Sequence, residues 1–142
     1  MTARMPGIVT DVSATFVARM MRRRGELWKA RRCSAAGSEA SLLLDTKKIP
    51  YMHGAPALAQ MGLLPGGAYR NMDYVQGHFR AEDTAERWCI DLMADPQTSG
   101  GLLVALPREN AEKMLEMLRA AAPDAAVIGE VIEKQDAEII VK

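Results

Sequence analysis

Between residues 41 and 142 the apolar positions of this chain change their spacing several times, and each change marks an element. Ser41-Leu-Leu-Leu-Asp45 is a short unbroken apolar run that gives way to Asp-Thr-Lys-Lys and Pro50, the pattern of a buried strand. In Pro56-Ala-Leu-Ala-Gln-Met61, helix formers follow a proline suited to a first turn, and Gly62 stands where a C-terminal glycine belongs. A short helix over about 54–61 is predicted. Leu64-Pro-Gly-Gly-Ala-Tyr-Arg-Asn71 reads as turn chemistry, because adjacent glycines permit positive φ and close approach of the backbone to something else. Over Ala81–Met93, Ala85, Trp88, Cys89, Leu92 and Met93 recur at i, i+3, i+4, i+7 and i+8 with charged residues between them, which predicts an amphipathic helix.

Leu102–Leu106 is strand-like and stops at Pro107. Residues 108–121 then place Ala111, Met114, Leu115, Leu118 and Ala122 on one side before Pro123 closes the helix. Residues 126–133 and 137–142 read as two strands joined by a polar turn. The order β-α-loop-α-β-α-β-β indicates an α+β fold, a mixed β-sheet with helices packed on one face.

Residues 1–40 do not share this regularity. The chain carries 18 basic and 18 acidic side chains, but residues 1–40 hold eight basic against three acidic, so the first segment is +5 and the rest −5. Arg19, Arg22, Arg23, Arg24, Lys29, Arg31 and Arg32 would spread around a whole helical circumference and leave no apolar face. The expected organisation is a poorly specified basic segment over 1–40 and a folded domain over 41–142. Trp28 is the only aromatic within the basic cluster and no nucleic-acid reader motif accompanies it, so no nucleic-acid partner is expected.

The length of 142 residues, 49% of them apolar, accommodates one domain and not two of roughly 100–150 residues each. No apolar stretch approaches the roughly 20 residues of a membrane helix, so no membrane partner is expected. Arg4, Pro6 and Asp11 interrupt the place where the apolar core of a signal peptide would lie, and a cytoplasmic location is the expectation. Cys33 and Cys89 form neither a CxxC pair nor a disulfide framework. Cys89 falls on the apolar face of its predicted helix, where a thiol serves as a small hydrophobe. His53 and His78 lie 25 positions apart without ligand spacing, so no metal site is read from them.

The segment with the most chemistry is Asp95-Pro-Gln-Thr-Ser-Gly-Gly101: a carboxylate, an amide and two hydroxyls, then paired glycines immediately before a buried strand. Such groups surround an anion or cap neighbouring backbone, and both readings stay open on residue chemistry alone. The segment matches neither GxxxxGK[ST] nor GxGxxG.

Asp95-Pro-Gln-Thr-Ser-Gly-Gly-Leu-Leu103 resembles the hallmark segment of the C-terminal domain of selenophosphate synthetase, also called selenide, water dikinase. Pro65-Gly-Gly-Ala-Tyr-Arg-Asn71 resembles that family's PGG-x-x-RN loop at the expected distance upstream, and the likeness extends over residues 41–142. The resemblance implies the C-terminal fold of the aminoimidazole ribonucleotide synthetase-like superfamily. It also implies a reaction in which ATP, selenide and water give selenophosphate, AMP and phosphate with magnesium assisting. In that family an N-terminal domain supplies most of the ATP site and the catalytic Cys or selenocysteine with its Lys, so no catalytic residue is assigned here and the chain is expected to be inactive alone. The motif residues carried over are Gly66, Gly67, Arg70, Asn71, Asp95, Gln97, Thr98, Ser99, Gly100 and Gly101. The polar ones, Arg70, Asn71, Gln97, Thr98 and Ser99, are expected to brace the domain interface or the closed nucleotide site.

Thr10-Asp11-Val12-Ser13 resembles the first half of the family's TDVTGFG junction motif, which makes Asp11 the one residue expected to contact magnesium and ATP. After it, Ala14-Thr-Phe replaces Gly-Phe-Gly, and the likeness resumes only at Ser41. A compensated frameshift over 14–40 would produce this, as would a diverged arm. Expected partners are the N-terminal catalytic domain, or a second copy docked through the surface that domain would cover; a noncatalytic interaction module on the same fold is the alternative function.

Overall fold

The apolar run at residues 41–44 lies in the middle of a mixed sheet, and the order of the strands around it explains why it is apolar. The computed structural model describes residues 14–19, 39–96 and 102–142. Within them the strands are β1 (Ala14–Arg19), β2 (Ala40–Leu44), β3 (Phe79–Ala81), β4 (Leu102–Pro107), β5 (Ala126–Glu133) and β6 (Ile139–Val141), ordered β3-β6-β2-β5-β1-β4. β2 runs antiparallel to β5 and parallel to β6, β6 is parallel to β3, and β1 is antiparallel to both β5 and β4. The helices are α1 (Ala55–Gln60), α2 (Gly66–Val75), α3 (Arg87–Ala94) and α4 (Ala111–Arg119), with 3-10 turns at Thr46–Lys48 and Arg108–Asn110. The α+β class and the mixed sheet agree with the expectation from sequence.

Alternation along β2 sends Leu42 and Leu44 into the core with Ile128 and Val131 of β5, Ile139 and Val141 of β6, Ala68 and Val75 of α2, and Met93 and Ala94 of α3. Ser41 is fully buried and satisfied: its Oγ donates to the Ala137 carbonyl at 2.6 Å and accepts from the Gln135 amide at 2.9 Å. Thr46 Oγ1 donates to the Lys142 carbonyl at 2.9 Å, and the Lys142 amide returns a bond to the Leu44 carbonyl. These bonds tie the last strand to the element that opens the regular part of the fold. Close approach of β5 to β2 requires Gly129, where a Cβ would collide with the Leu43 carbonyl oxygen.

Four local readings change. Residues 66–71, expected as a turn, form the first turns of α2: Pro65 takes the extended N-cap conformation at φ −68°, ψ 144°, and neither Gly66 nor Gly67 has positive φ. Pro-Gly-Gly reads as a turn because its local propensity is against helix, and packing of Ala68 and Val75 into the core overrides it. The helix expected from residue 81 begins at Arg87, because Phe79–Ala81 instead pairs with Ile139–Val141 as β3. The strands of the C-terminal region are not neighbours, since β2 lies between β5 and β6. Finally, residues 14–19, to which the sequence assigned no element, form β1 inside the sheet, with an extra β5 residue opposite the Phe16–Val17 step. Gly62, by contrast, ends α1 with φ 75°, as its place after the helix predicts.

Candidate functional site

The two segments that carry the chemistry in the sequence lie some 25 residues apart, and the fold brings them into contact. α2 starts on Pro65-Gly66-Gly67, and α3 ends on Ala94, followed by Asp95 and Pro96. The Nδ2 of Asn71 donates to the Ala94 carbonyl at 2.8 Å. That carbonyl belongs to the last turn of α3, where intrahelical partners run out, so the amide satisfies an acceptor that would otherwise need water. One turn earlier on α2, a Cβ at Gly67 would stand 2.6 Å from Cγ of Pro96, a separation too short for any side chain. Glycine is therefore required at 67 for close approach, and not for positive φ.

These contacts fasten the start of α2 to the entrance of the 95–101 segment. Beneath them, Ala68, Met93 and Ala94 are buried in the core, so the junction rests on packed side chains. Asp95 is half-buried at the C-cap of α3, its amide donating to the Leu92 carbonyl at 3.3 Å. Burial pushes the Asp95 carboxyl above its ordinary range, since removal from water disfavours the charged form.

Of the residues expected to form the site, Gly67, Asn71 and Asp95 are thus brought together. Gly66 and Arg70 are exposed on the same first turns of α2, and Arg70 forms no ion pair with another described residue. Gln97, Thr98, Ser99, Gly100 and Gly101 lie outside the described residues, as does Asp11. Sequence reading missed the partners that make the junction: the backbone carbonyl of Ala94 and the ring of Pro96. Pro96 is the second residue of the Asp95–Gly101 segment, but nothing in a sequence marks a carbonyl as an acceptor.

Cys89 sits in the core as expected, on the inner side of α3. Burial raises its thiol above the ordinary value, against hydrogen bonds from Tyr51 and Thr46 that lower it, so it remains protonated and unreactive. His78 pairs through Nδ1 with Glu138 Oε1 at 3.2 Å. Among the described residues no three His, Cys, Asp or Glu side chains converge to hold a metal ion, and no helix is long and apolar enough to cross a membrane.

Residues 32–142 match the family described as "AIR synthase related protein, C-terminal domain". The chain is 37% identical over 108 residues to a "Selenide, water dikinase" of Clostridium botulinum (strain Alaska E43 / Type E3), covering 76% of this chain and 31% of that one. It is 43% identical over 109 residues to the protein of that name from Caldanaerobacter subterraneus subsp. tengcongensis, with the same coverage. "Selenide, water dikinase 2" of Peptoclostridium acidaminophilum is 40% identical over 108 residues, 75% of this chain and 31% of its own. The chain therefore spans about a third of the length of these curated relatives. Among solved structures, a chain of the "Crystal structure of HypE-HypF complex" matches with TM-score 0.53 and 19% identity, covering 88% of this chain and 32% of that one. That likeness is one of fold.

Proposed function

We propose, from the premise that this chain belongs to the AIR synthase related protein family as its C-terminal domain, that it is the C-terminal part of a selenide, water dikinase. The whole reaction would convert ATP, selenide and water into selenophosphate, AMP and phosphate. In this reading the N-terminal two-thirds of the relatives' length carries the catalytic chemistry, and these residues complete the site without turning over substrate alone. The working compartment would be the cytoplasm.

The observation that carries the proposal is the fastening of the two motif segments through Asn71–Ala94 and Gly67–Pro96. A loop meant only to reverse the chain needs no such double attachment. A loop that presents groups to a nucleotide or to another domain does, because misplacement by about 1 Å costs most of the gain from positioning. Gln97, Thr98 and Ser99 would then follow a fixed base along the chain, and Arg70, exposed on α2, would serve as a cation for phosphate or carboxylate. Asp11 is the one carboxylate that resemblance offers, and no step is assigned to the metal here.

The proposal is tested in a full-length relative by replacing the residues that match Thr98 and Ser99 with alanine. Activity is expected to fall by about tenfold or more, with the unfolding midpoint unchanged. Unchanged activity and unchanged stability would remove the role given to this segment.

A further inference from the structure

We draw no further inference here: the strongest candidate, the pair of His78 with the Glu138 carboxylate where the edge strand β3 meets β6, joins two parts of this same domain, and nothing in the structure shows a ligand or partner for it.

Discussion

Asp95 shows how much of a site one residue can disclose, and where that disclosure stops. The sequence marks it as the head of a polar segment, but only the structure shows it half-buried at the end of α3, with its pKa raised by loss of water. A carboxyl whose pKa is higher folded than unfolded binds its proton more tightly in the native state. Its favourable contribution is complete below the unfolded value of about 3.9 and is lost as pH rises through the folded value, so ionised Asp95 weakens the fold at neutral pH. The helix C-terminus adds to the penalty, since its dipole disfavours a nearby anion. Asp95→Asn is therefore expected to raise stability to urea at pH 7 and to give no advantage near pH 3. A variant less stable than wild type at pH 7 would show that the ionised carboxyl has a native partner.

At the scale of elements, legibility follows the range of the interactions that define each one. β2, β4 and β5 were visible as apolar runs because burial makes strands apolar whatever their partners. α1 was visible through Pro56 and Gly62, which act within a few residues. α2 was hidden because Pro65-Gly66-Gly67 signals a turn locally, while the helix is secured by Ala68 and Val75 packing against distant strands. β3 is three residues long and exists through its pairing with β6, some 60 positions later. β1 lay within a segment dominated by its arginines, and its place between β5 and β4 is set wholly by long-range register. The PGG-x-x-RN and DPQTSGG resemblance could say that two segments matter together; it could not say that α2 and α3 join them. If Gly67–Pro96 and Asn71–Ala94 are one fastening, the two must be coupled. Gly67→Ala and Asn71→Ala should each cost about 1–2 kcal/mol in urea unfolding, the first through a clash with the Pro96 ring and the second through an unsatisfied Ala94 carbonyl. The double variant should cost less than the sum by about 0.5 kcal/mol or more, since either change releases the segment. Strict additivity would mean two separate contacts.

Across the whole molecule, the described sheet, its helices and the match over residues 32–142 agree on one family domain, which under the proposed function holds an incomplete share of a larger activity. The chain's span of about 31% of its relatives' length bears on that. The charge asymmetry also belongs to this scale. Residues 1–40 carry +5 and the remainder −5. The most direct measurement of the central claim is calorimetric titration of ATP with magnesium into this chain, alone and then mixed with the N-terminal part of a full-length relative. Heat of binding is expected only in the mixture, and Asp11→Asn is expected to abolish it. Tight binding to the isolated chain, or none in either titration, would contradict it.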